Sequence, residues 1–182
     1  EPLPIVQVKK NLWVVPSSLE FATADLVIAG QMAREIILKE LIEGVGNGYD
    51  YCIIDCPPSL GLVTLNALVA ADEVYIPMEA EFLAFRGIDS IVGIIGKVKK
   101  HYNPKLEIKG VFFTQFNEKR VLTKEIKKLI GETFGNTSMK TQIRVNVALA
   151  ESQSAGKDIF EYDPDSNGAK DYGKLVSEIL KN

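Results

Sequence analysis

The sequence is poor in the residues that most often announce chemistry. It has one histidine, one tryptophan and two cysteines in 182 residues. His101 follows Lys99 and Lys100 near an expected helix end, where capping or solvation accounts for it better than catalysis. Cys52 and Cys56 stand four apart, a spacing that matches no usual zinc pair, and no second pair exists. On a strand, residues four apart share a face but sit too far apart for a disulfide. Both are expected as reduced core thiols, which agrees with a cytoplasmic setting. No apolar run is long enough to span a bilayer, and no signal peptide is present. Nor is there an excess of positive charge. The net charge of -3 argues against a uniformly basic nucleic-acid binder, though it leaves room for a local basic patch. No internal repeat, low-complexity tract or linker is evident.

One further absence bears on phosphate chemistry. No stretch reads G-x-x-x-x-G-K-[S/T], the loop whose backbone amides cradle phosphates. The nearest glycine cluster, Gly44-Val45-Gly46-Asn47-Gly48, lacks the lysine and follows no strand. It reads as a helix C-cap and loop. The chain also begins at Glu1 rather than Met, and it is expected to be part of a longer protein.

What is present is a chain of ordinary globular composition, 46% hydrophobic and 25% charged, with length for one domain and a sizeable core. Its most informative segment runs Tyr51-Cys52-Ile53-Ile54-Asp55-Cys56-Pro57-Pro58-Ser59-Leu60-Gly61. A short apolar run between turn signals reads as a buried parallel strand. Pro57 and Pro58 cannot continue a ladder, so the strand is expected to stop near Asp55. Open α/β sheets bind ligands outside the carboxyl ends of their strands. A carboxylate there suits Mg²⁺, a hard cation that keeps part of its water. This is the physical content of a Walker B motif, with Asp55 as the metal-side residue.

Strand-like and helical patterns alternate along the chain. Strands are expected at 12–15, 51–55, 73–78, 108–114 and 139–143. Helices are expected at 19–29, 31–43, 62–71, 84–101, 122–134, 147–154 and 167–180. The closing helix is expected to turn Tyr172, Leu175, Val176, Ile179 and Leu180 inward, leaving Asp171 and Glu178 on a polar side with Lys170 and Lys174. Alternation of this kind predicts an α/β fold, a mostly parallel sheet flanked by helices. Asp163-Pro164-Asp165-Ser166-Asn167-Gly168 imitates the start of a calcium loop. Its twelfth position would be Lys174, where a bidentate glutamate is required, and the preceding 159–162 looks extended. A turn capping the last helix through Ser166 or Asn167 is the better reading.

The ordered set of short motifs is specific. It comprises Asn11-Leu12-Trp13-Val14-Val15-Pro16-Ser17-Ser18, Tyr49-Asp50-Tyr51, the Asp55–Gly61 signature, Asn66-Ala67-Leu68 and Ala71-Asp72. It continues with Ile76-Pro77-Met78, Glu81, Gly110-Val111, Thr114, Asn146-Val147, Leu149, Glu151, Gly156-Lys157, Tyr162-Asp163-Pro164 and Gly168-Ala169. In this set the chain resembles the ParA/Soj partition ATPases of the MinD-like deviant Walker group. The resemblance implies a P-loop NTPase-like fold in which residues 1–182 form a single α/β domain, the C-terminal two-thirds of a ParA-like ATPase domain. It implies ATP and Mg²⁺ as cofactors, a homodimer, non-specific DNA, a centromere-binding ParB-like partner and a cytoplasmic, nucleoid-associated location. The family's phosphate-cradling lysines and its water-positioning acid come from an N-terminal third that would precede Glu1. The carried-over positions are therefore Asp55 for the metal and the loops 114–117 and 143–146 for the base side: Thr114, Asn117, Arg144 and Asn146.

Two departures from the family pattern matter. Where the family reads Ile-Pro-Arg-Asn-Val-Arg-Leu, this chain reads Ile143-Arg144-Val145-Asn146-Val147-Ala148-Leu149. The two family arginines resemble DNA-contacting positions, and Val145 and Ala148 stand there instead. Lys119, Arg120, Lys140 and Arg144 are the candidates for replacement charge on DNA phosphates. The alternative function is a non-catalytic ParA-like interaction module without ATP hydrolysis; a G-G-V-G-K-T-type loop upstream would decide for the ATPase. MinD-type relatives carry a membrane anchor, but the mixed signs on the closing helix argue against one here.

Overall fold

The computed structural model describes residues 2–46 and 48–181, so Asn47 of the glycine cluster lies outside the described residues. The chain divides into two compact units: Glu1–Asp72 with Gly93–Leu106, and Glu73–Val92 with Glu107–Asn182.

In the first unit, strands β1 (Val6–Lys9) and β2 (Leu12–Val14) form an antiparallel hairpin. Asn11 makes its turn at φ 61°, a left-handed conformation that asparagine tolerates. The sequence predicts β2 but not its partner, because Val6–Lys9 is short and closely preceded by Pro2 and Pro4. The first expected helix is a 3₁₀ turn, Leu19–Thr23, running into α1 (Ala24–Ala29). The second is shortened to α2 (Ile37–Glu43), with Ala33 at φ 53° ahead of it. Gly44 caps α2 at its C-terminus, as the glycine cluster predicts.

Helix α3 (Leu62–Ala70) carries the buried Ala67, Leu68 and Val69. Its start is fixed from outside: the Asp25 carboxylate accepts a hydrogen bond from the Val63 N–H at 2.8 Å. Gly61 is required there, because a Cβ on it would collide with that carboxylate. Buried Asn66 ties α3 to the start of α2. It donates to the Arg34 carbonyl at 2.7 Å and accepts from the Leu38 N–H at 3.1 Å. Asn103 closes the far end by donating to the Ala71 carbonyl at 2.6 Å.

The expected strand 51–55 has no ladder partner among the described residues, and it is irregular rather than β. Its side chains are exposed accordingly, Tyr51 at 73% and Ile53 at 93%. Cys52 and Cys56 are exposed free thiols, not the core thiols that a buried strand would have made them. Without a ladder partner, a short apolar run alone cannot hold a segment in a sheet.

The second unit contains the sheet. Strands β3 (Glu73–Glu79), β4 (Glu107–Phe116) and β5 (Ser138–Arg144) run parallel in the order β3-β4-β5. Central β4 has a continuous buried run, Gly110 to Phe113, as a strand covered on both faces should. Gly110 is needed for close packing, since a Cβ there would strike Met139 and Tyr75 on the flanking strands. Helix α4 (Phe82–His101) begins in this unit and ends in the first, with His101 exposed in its last turn. The remaining helices are α5 (Val121–Phe134), α6 (Val147–Ser154), α7 (Ile159–Tyr162) and α8 (Asn167–Ile179). Helix α7 replaces the extended reading of that segment. Asp158 accepts the Glu161 N–H at 2.9 Å and nucleates its single turn. Ser166 caps α8, accepting the Ala169 N–H at 3.1 Å, as expected.

Phe112, Met139, Ile143 and Leu175 form the core beneath α8, with Tyr172 and Ile179 against it. The predicted inward face of α8 is rotated. Val176 and Leu180 are 49% and 59% exposed, whereas Asp171 is buried at 3%. A buried acid is the opposite of what an apolar stripe predicts, and its partners explain it below.

Candidate functional site

In parallel strands the loops leaving the carboxyl ends lie side by side, and β4 and β5 follow this rule. Phe116 pairs with Arg144 in the register, and the Val145 N–H donates to the Phe116 carbonyl at 3.4 Å. The four base-side candidates therefore gather at one end of the sheet. Thr114 is half-buried opposite Glu79 of β3. Asn117 is half-buried and shapes its own turn, accepting the Lys119 N–H on Oδ1 at 3.0 Å. Arg144 ends β5, and Asn146 opens α6 as its N-cap residue without a side-chain capping bond.

Asn146 Oδ1 is buried and has no hydrogen-bond partner. Nearly all buried acceptors are satisfied, so an orphan calls for a donor. Leaving it unpaired costs about 1–3 kcal/mol. An N–H of a bound base is one donor that would remove that cost.

Gln115 adds a feature that sequence reading missed. It has φ 50°, and its Nε2 donates to Glu79 Oε1 at 2.7 Å, joining the carboxyl ends of β3 and β4. Non-glycine residues in this conformation cost roughly 1–3 kcal/mol and cluster at functional sites. No pattern in the sequence marks this position.

Arg144 is held by Asp171. Its Nε and Nη2 meet the carboxylate at 2.8 Å and 2.7 Å, and its backbone N–H adds a third bond at 3.2 Å. The planar fork of arginine matches a carboxylate in this two-point manner. Two turns along α8, Glu178 accepts the backbone N–H groups of Lys140 and Thr141 at 2.8 Å and 2.9 Å. The two acids of α8 thus cover donors of β5, an edge strand of the three. Burial pushes the Asp171 carboxyl up, but the Arg144 bonds outweigh it and hold it below the ordinary 3.8. Glu178 likewise resists burial through its bonds to Thr141 and Lys140 and sits below the ordinary 4.5.

A stability prediction follows from those two directions. A depressed folded pKa contributes stability in full above the unfolded value, and that contribution is lost as pH falls through the folded value. The urea midpoint of the intact protein should therefore fall on acidification below about pH 4.5. The fall should be shallower in Glu178→Gln. An identical acid limb in that variant would show that Glu178 is not one of the responsible groups.

The proposed basic positions do not form one cluster. Lys119 and Arg120 are exposed in the turn before α5, at the same strand ends as Arg144. Lys140 lies four residues earlier on β5, roughly 13 Å along the strand. The guanidinium of Arg144 is committed to Asp171 on two of its nitrogens.

Asp55 belongs to the first unit and is exposed. The turn after it is anchored where Thr64 Oγ1 donates to the Ser59 carbonyl at 2.6 Å. Although the Cys56 residue is exposed, desolvation by the surrounding chain and, after it, the adjacent Asp55 carboxylate push its thiol up, so it resists ionising to the reactive thiolate. A single carboxylate suits Mg²⁺, which commonly takes one or two protein acids with water and phosphate oxygens.

Comparison with known proteins bears on the fold and the family. The family model described as an AAA domain matches residues 4–108. The chain is 40% identical to the sporulation initiation inhibitor protein Soj of Bacillus subtilis, over 95% of this chain and 68% of that protein. It is 38% identical to the chromosome-partitioning ATPase Soj of Treponema pallidum, over 93% of this chain and 67% of that one. A plasmid partition protein of Borrelia burgdorferi, solved with AMPPNP, superposes with a TM-score of 0.81 at 24% identity, covering 97% of this chain and 67% of that one. The fold is that of the P-loop NTPases, and the chain belongs to the ParA/Soj family of partition ATPases.

Proposed function

We propose that the protein is an ATP-dependent partition ATPase for plasmid or chromosome DNA, with residues 1–182 contributing a single α/β domain to it. It acts as a homodimer in the cytoplasm, associates with the nucleoid through non-specific DNA, and answers to a centromere-binding ParB-like partner. The observation that carries this reading is the side-by-side placement of the loops after β4 and β5, with the buried, unpartnered Asn146 Oδ1 at the start of α6. The amino group of adenine is a donor of the required kind. Thr114, Asn117 and Arg144 complete the base side, and Asp55 holds Mg²⁺. When bound, Mg²⁺ would neutralise charge on the phosphate oxygens.

DNA binding falls mainly to Lys119 and Arg120, with Lys140 and Arg144 flanking. Contacts of this kind act on phosphates, so they are blind to sequence and sensitive to salt. Duplex binding by the intact protein, measured against salt with and without ATP and Mg²⁺, tests the reading. ATP should strengthen binding. Lys119→Glu with Arg120→Glu should weaken it on every sequence alike and flatten the salt slope by about two. Binding that ignores both ATP and the reversal would remove DNA from the proposed function.

A further inference from the structure

The strongest unexplained group in the second unit is Asp171. Its side chain is 5% exposed, and it sits on a helix whose pattern offers that position to solvent. It reaches no ligand-facing surface of its own. Every hydrogen bond recorded for it goes to one residue, Arg144, through Nε, Nη2 and the backbone N–H. Arg144 is two residues before Asn146, and the residue between them, Val145, is 62% exposed and adds no apolar anchor. Three bonds on one residue fix both the end of β5 and the direction in which the chain leaves it. The Leu149 N–H to Asn146 carbonyl bond at 3.3 Å then fixes the start of α6. Between these two anchors Asn146 has little freedom, and its Oδ1 is held buried without a partner.

We propose that Asp171 is a positioning residue for the nucleotide: clamped onto Arg144, it sets the loop 143–146 so that Asn146 presents its acceptor to the base. This rests on the base-side reading of Asn146. It gives Arg144 the further task of holding the loop. The clamp is charge-dependent, since a carboxylate accepts all three bonds and a neutral amide offers one oxygen for them.

The test measures two ligands on the intact protein, ATP and tripolyphosphate, the latter having phosphates but no base. Asp171→Asn keeps the size of the side chain, and its thermal midpoint without ligand reports folding. In this variant the Kd for ATP should rise about tenfold, as small misplacements of a binding group do, with the Kd for tripolyphosphate unchanged. On an Asn146→Ala background Asp171→Asn should have no further effect on ATP. Equal weakening of both ligands would reduce Asp171 to a stability role and overturn the proposal. So would an unchanged ATP Kd. If Asn146→Ala alone weakens ATP while Asp171→Asn does not, only the positioning role falls. If Asn146→Ala also leaves ATP unchanged, the base-side reading falls with it.

Discussion

Asp55→Ala in the intact protein is expected to lower Mg²⁺-dependent ATP turnover by about a hundredfold while leaving the fold in place. A charge that stabilises the metal, and through it the transferred phosphate, is typically worth that much in rate. The fold should survive because Asp55 makes few demands on it. The residue is exposed, and the turn that follows is anchored elsewhere, through Ser59 and Thr64 and through the bond between Asp25 and Val63. The relevant comparison is turnover against Mg²⁺ concentration, with circular dichroism as the control. An unchanged turnover number with intact circular dichroism would remove Asp55 from the metal site.

The second large effect concerns residues 1–182 expressed alone. They are expected not to form a stable monomer. The segment 51–55 has no ladder among the described residues, with Ile53 93% exposed, and the hairpin before it exposes Val6, Val8, Leu12, Trp13 and Val14. Full burial of a side chain of this size contributes about 1.5–3 kcal/mol. A domain retains only about 5–15 kcal/mol in total, so several such losses are enough to exhaust it. A urea melt and the mass in solution give the answer. A monomer with one cooperative transition would show that the first unit stands without further strand pairing.

Elements whose evidence is local were legible in the sequence. Helix α3, α6 and the start of α8 follow from periodicity and from the Ser166 cap, and β3, β4 and β5 from apolar runs near their observed bounds. The base-side pair of loops came from the family resemblance rather than from any residue pattern, and the parallel order of β4 and β5 places Asn117 and Asn146 at the same sheet end. What depended on distant partners was not legible. The segment 51–55 reads as a strand by composition, yet a strand exists only with neighbours. Asp171 reads as solvent-facing because its partner lies 27 residues away at the end of another element. Gln115 carries its unusual backbone through a side-chain bond to Glu79, 36 residues earlier. In each case the deciding interaction is non-local, and a residue pattern reports only its own neighbourhood.

The most direct test of the central claim is calorimetric titration of the intact protein with ATP, with and without Mg²⁺, on the natural sequence and on Asp55→Ala. A partition ATPase whose metal is held by Asp55 should bind ATP more tightly with Mg²⁺, and Asp55→Ala should lose that enhancement while retaining metal-free binding. No ATP binding by the natural sequence, or an enhancement by Mg²⁺ that survives in Asp55→Ala, would contradict the account.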